Sequence, residues 1–111
     1  MIRDQLAAAA TLDGTTRIAP RYRQSLQTGD GFVRRGQRVR DGKRTGWLDT
    51  WEIWVAIPAD RAAAEDWLDA HLDDLIAAVW PVLLVTQATP NELVLGPNTV
   101  NGLVITGINA V

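Results

Sequence analysis

The sequence predicts an α+β domain: an antiparallel or mixed sheet of four to five strands, two helices packed on one face, and a protruding basic β-hairpin. Three observations predict it. Residues 60–80, DRAAAEDWLDAHLDDLIAAVW, repeat apolar side chains at helical spacing. Residues 47–58, WLDTWEIWVAIP, alternate with a period of two. Short apolar runs separated by Pro- and Gly-bearing breakers then follow the long helix, so the element order is helix, strands, helix, strands. With 111 residues the chain reads as one domain, 1–111, from which 31–46 projects as a basic hairpin.

The first element is a short helix over 2–12, where Ile2, Leu6, Ala9, Ala10 and Leu12 share a small-residue face and Asp13-Gly14 ends the run. TTRIA at 15–19 and YRQSLQ at 22–27 have strand character, and TGDG at 28–31 signals a turn. FVRRGQRV and TGWLDTWEIWVAI then pair across Asp41-Gly42, a dipeptide suited to a type I′ turn. In the second of these, Trp47, Trp51, Ile53, Val55 and Ile57 form the core face. Leu48, Thr50, Glu52, Trp54 and Ala56 form the other.

Asp60 is the expected N-cap of the long helix, and Ala64, Trp67, Leu68, His71, Leu72, Leu75, Ile76 and Val79 are its apolar stripe. Pro81 disfavours helix at Trp80 and stops it. Strands at 82–88, 92–95 and 103–106 complete the sheet, broken by TPN and GPNTVNG. VLLV and LVI are continuous apolar runs, the pattern of strands buried on both faces. Two helices cover one face only, so the other, with Leu48 and Trp54, is expected to be covered by further copies of the chain.

Composition excludes several functions. No cysteine is present, so neither a disulfide nor a thiolate metal site can form. No apolar run reaches the roughly 18–20 residues of a membrane span, and the alanine-rich start, with Arg3 and Asp4 at once, does not read as a signal peptide. No Walker loop, GxGxxG or GxSxG occurs, and the lone His71 has no nucleophile beside it. No enzyme, metal site or cofactor is therefore expected.

Charge is distributed unevenly. Residues 1–50 hold ten Arg and Lys against five acidic residues, and residues 51–111 hold one Arg against eight. Residues 32–47, FVRRGQRVRDGKRTGW, alone carry Arg34, Arg35, Arg38, Arg40, Lys43 and Arg44. A solvated loop, a protein partner or a passing phosphate backbone would each suit them; the balance leans to protein, because no recognition helix accompanies them and the tip has no stacking aromatics. Asp66, Asp69 and Asp73 line the far side of the long helix as a solvated face or a contact for a neighbour's basic segment. They lie along a rod, which suits no single metal ion.

The order of these features resembles tail terminator proteins of long-tailed phages infecting actinobacteria. The residues that carry the likeness are the short first helix, the GDG turn, the strand WxxxWEIWVAIP, the helix PADRAAAEDWLDAHLDDL, and the strands PVLLV and LVITG. The resemblance implies a hexameric ring that caps the tail tube, stops its polymerisation and joins the tail to the head–tail connector at the neck. It places the protein at the top of the tail in the virion, and in the host cytoplasm during assembly. The residues 32–46 correspond to a loop-rich part of that family and are more basic here. The alternatives are another neck component, such as a head-completion or adaptor protein, and a non-specific DNA-binding module built on residues 32–44.

Overall fold

The computed structural model describes residues 2–21, 27–40, 46–95 and 98–110. It is an α+β domain of two helices and a five-stranded mixed sheet. In chain order the elements are α1 (Ile2–Ala10), β1 (Arg17–Ala19), β2 (Asp30–Arg40), β3 (Trp47–Ala56), α2 (Arg61–Val79), β4 (Leu84–Leu95) and β5 (Asn98–Ala110). The strands lie in the order β1-β2-β3-β5-β4; β1 runs parallel to β2 and every other pair is antiparallel.

Helix α1 ends where side chains take over its last carbonyls. The Thr11 hydroxyl donates to the Ala7 carbonyl at 2.8 Å, and the buried Thr16 hydroxyl donates to that of Ala10 at 2.6 Å. Leu6, Ala7 and Ala10 are buried, and Ile2, Ala9 and Leu12 pack at the margin of the core. Arg3 pins the helix to the sheet by donating to the carbonyls of Pro20 and Val33, each at 3.0 Å. Gly29 turns the chain into β2 at a φ of 90°, where a side chain would collide with the Thr15 carbonyl.

Helix α2 opens as expected, with the Asp60 carboxylate accepting from the Ala63 N–H at 3.0 Å. Its end differs from the expectation. Trp80 keeps right-handed helical angles and bonds to the Ile76 carbonyl, so the stop comes from the N–H that Pro81 lacks rather than from a change at Trp80. Of the predicted stripe only Ala64, Leu75 and Val79 are buried. Trp67, Leu68, His71, Leu72 and Ile76 are half-buried.

The core draws on one face of the sheet. Ile18, Val33, Trp51, Ile53, Val55, Leu103 and Ile105 meet Leu6, Ala7 and Ala10 of α1 and Ala64, Leu75 and Val79 of α2. Trp47, expected in that core, is 39% exposed, because it stands at the start of β3 beyond the rest of the cluster. Gly107, facing Trp51 across β3–β5, leaves a hollow that Leu83 fills; a Cβ there would lie 2.5 Å from the Leu83 Cγ.

The C-terminal strands differ from the expectation too. TPN does not break β4, which runs unbroken from Leu84 to Leu95 with Pro90 opposite Leu103. An edge strand tolerates proline because its missing N–H can face away from the ladder. Residues 98–102 likewise belong to β5, not to a breaker. LVI is buried throughout, as predicted, because β5 lies between β3 and β4. VLLV is not: Val82 and Leu83 belong to the connection after α2, and Leu84 on the edge strand is 56% exposed. The strand predicted at 22–27 falls almost wholly outside the described residues.

Candidate functional site: the basic hairpin and the open sheet face

The hairpin is built on an irregular register. Arg35 pairs with Trp51 and Arg38 with Asp49, so three steps along β2 match two along β3. This bulge inserts one extra residue and reverses the alternation. Arg35 and Arg38, which a regular strand would send to opposite faces, therefore reach the same one. Both meet Asp49, whose side chain is 3% exposed: Arg35 donates at 3.0 Å and Arg38 at 2.8 Å. The hydrogen bonds from Arg38, ahead of those from Arg35, hold the Asp49 carboxyl below the usual carboxylate range and outweigh the opposing effect of burial.

Tryptophans lie beneath the arginines. The guanidinium of Arg35 sits 4.5 Å from the ring centre of Trp51, with that of Arg3 at 5.3 Å. Arg40 and Arg38 sit 4.9 and 5.9 Å from Trp47, and Arg34 sits 5.5 Å from Trp54. Each pair joins a cation to the negative face of an indole. The aromatics that accompany the hairpin arginines stand on β3, across the ladder from them. Arg40 makes no ion pair with a described residue, while Arg34 stands 3.9 Å from Glu52. Lys43, Arg44 and the Asp41-Gly42 turn lie outside the described residues. The register already departs from a two-residue turn there, since Arg40 pairs with Trp47.

Among the described residues no helix lies on the second face of the sheet. The register sets Phe32, Trp54 and Val104 side by side on it, with Leu48 beside Val39, and Leu84 beside Ile108. Trp54 is half-buried and stacked on Phe32 with ring centres 5.6 Å apart; Phe32 itself is 3% exposed. Trp54 is therefore partly sheltered by its own chain and not fully presented, as the alternation had suggested. Leu48 and Ile108 are half-buried, and Val39 and Leu84 are exposed, so the open apolar surface lies toward the Arg40–Trp47 end of the hairpin.

On α2, Asp66, Asp69 and Asp73 are exposed, and none pairs with a described cation. His71 rests against the Trp67 ring at 4.9 Å. Among the described residues no group of acidic or imidazole side chains could hold a metal ion, and no helix is long and apolar enough to cross a membrane. A groove of about 570 Å³ lies between α2 and the β4–β5 pair. Buried Ile57 and Ala64, half-buried Leu68 and exposed Pro90 supply its apolar lining, and Arg61, Glu65, Asn91, Glu92 and Asn101 its polar lining. Sequence reasoning missed this groove because it depends on how far α2 stands from β4. It also missed Asp49, although an aspartate inside an alternating apolar strand was the signal for it.

The chain matches no family model and no curated protein.

Proposed function

We propose that this chain is a structural virion protein, a tail terminator. It acts by assembly and not by catalysis: copies form a ring of about six that caps the tail tube, halts its growth and meets the connector at the neck. One observation carries the reading. Both helices lie on one face of the sheet, while the other face holds Leu48, Trp54 and Ile108 half-buried and Leu84 and Val39 exposed. Unsheltered apolar surface of that kind marks a contact surface, and a heterologous contact between unlike patches closes into a ring when its rotation closes.

The pattern of elements noted in the sequence directs this assembly to the top of a phage tail, with the tube protein on one side and the neck on the other. The acidic residues Asp66, Asp69 and Asp73 and the basic hairpin are the two unlike charged patches available to neighbours, and passing DNA is a secondary contact of the hairpin. Light scattering on the purified chain, together with joining of purified heads to tails in its presence and absence, tests the reading. Rings, and tails that join only when the chain is supplied, are the expected result. A chain that stays monomeric at high concentration and leaves joining unchanged overturns it.

A further inference from the structure

We propose that Trp47 at the start of β3 of one copy, with Arg40 of β2 above it, seats in the groove between α2 and β4 of a second copy. This rests on the ring reading and names the two surfaces that would meet in it.

The knob is fixed in advance. Trp47 is a large aromatic left 39% exposed at the outer end of β3. Arg40 lies 4.9 Å from its ring centre and has no acidic partner among the described residues. The guanidinium of Arg38, held by Asp49, flanks the same ring at 5.9 Å. Little conformational freedom remains for binding to remove, which favours affinity. Trp and Arg are also each enriched among the residues that dominate binding at the centre of interfaces.

The groove has the complementary character. Its volume of about 570 Å³ lies within the range of roughly 300–1,000 Å³ that holds a ligand-sized group. Ile57, Ala64, Leu68 and Pro90 offer apolar lining for an indole, and Glu92, with Glu65 beside Arg61, offers carboxylate to a guanidinium. Arg61 lines the same groove and forms an exposed ion pair with Glu65 at 3.9 Å, so Glu92 is the groove carboxylate with no described cation beside it. Beyond the rim α2 continues with Asp66, Asp69, Asp73 and Asp74, all exposed. Against these the neighbour's hairpin brings Arg40, with Arg38, already paired to Asp49, on the same face. Knob and groove are different patches of one chain, as a head-to-tail contact requires.

Sedimentation velocity on the full chain tests this with charge reversals on exposed side chains. Arg40→Glu alone, and Glu65→Lys with Glu92→Lys, should each weaken self-association by about tenfold or more. Combining all three changes in one chain should restore it. Mixing the Arg40→Glu chain with the Glu65→Lys/Glu92→Lys chain should also restore self-association, because each reversed knob then faces a reversed groove. Reversals that leave wild-type association untouched overturn the proposal and leave the ring reading standing on its other surfaces. A wild-type chain that never self-associates, yet still joins heads to tails, overturns this contact together with the ring and leaves only the joining role standing. Loss of salt-sensitive binding to a random DNA duplex on Arg40→Glu, with self-association unchanged, assigns the knob to nucleic acid and overturns it as well.

Discussion

Asp49 keeps its charge inside the domain because two guanidiniums reach it from one strand and two tryptophans confine those guanidiniums. A group whose folded pKa is depressed contributes stability above its unfolded value, about 3.9 for aspartate, and loses it as pH falls toward the folded value. Asp49→Asn should therefore unfold at lower urea than the wild type near neutral pH. The gap should narrow steadily as pH drops from about 4 toward 2. A gap constant with pH would mean that the ion pairs contribute nothing and only the side-chain shape matters. Gly107 poses a steric question at the same scale. A methyl group there would press on Leu83, which is 1% exposed and has nowhere to retreat. Gly107→Ala should cost about 1–3 kcal/mol in chemical denaturation, as overpacking of a filled core does.

At the scale of elements, what the sequence made legible followed periodicity, and what it hid followed breaks in periodicity. Helix α2 and the core half of β3 were readable because Leu75, Val79, Trp51, Ile53 and Val55 repeat at 3.6 and at 2. The bulge in β2 was not readable, since nothing in VRRGQRV beyond Gly36 marks where one residue is inserted, and that insertion decides which arginines meet Asp49. Pro90 misled for a related reason: a proline forbidden in a central strand is admissible at an edge, and sheet order is not written locally. The stripe on α2 was read too broadly, because the helix leaves a groove beside β4 and Trp67 is only half-buried there. Mutation should rank these positions by burial rather than by size. Leu75→Ala, with a side chain wholly enclosed, should cost about 2–5 kcal/mol. Trp67→Ala should cost less than that, despite removing more atoms, when the two urea midpoints are compared. The reverse order would mean that the middle of α2 packs more tightly than its exposure indicates.

For the whole molecule, the arrangement of layers matters more than any single contact. A sheet with helices on one side has to solvate or share its other side. Here the two ends of that side behave differently: Phe32, Val104 and Ala56 are already buried near its centre, and Leu84, Val39, Leu48 and Ile108 remain open toward the hairpin. The useful probe of assembly is therefore Leu84 and not Trp54. Replacing Trp54 would disturb the stack on Phe32 and the Arg34 contact, confounding folding with association. Leu84→Asp alters an exposed edge position, where substitutions usually stay within about 0.5 kcal/mol. Its thermal midpoint as a dilute monomer should match the wild type, while sedimentation at high concentration should show the assembled fraction sharply reduced. An aspartate at Leu84 that leaves assembly intact would remove the open face from the contact surface and leave the hairpin and groove as the surfaces through which copies meet.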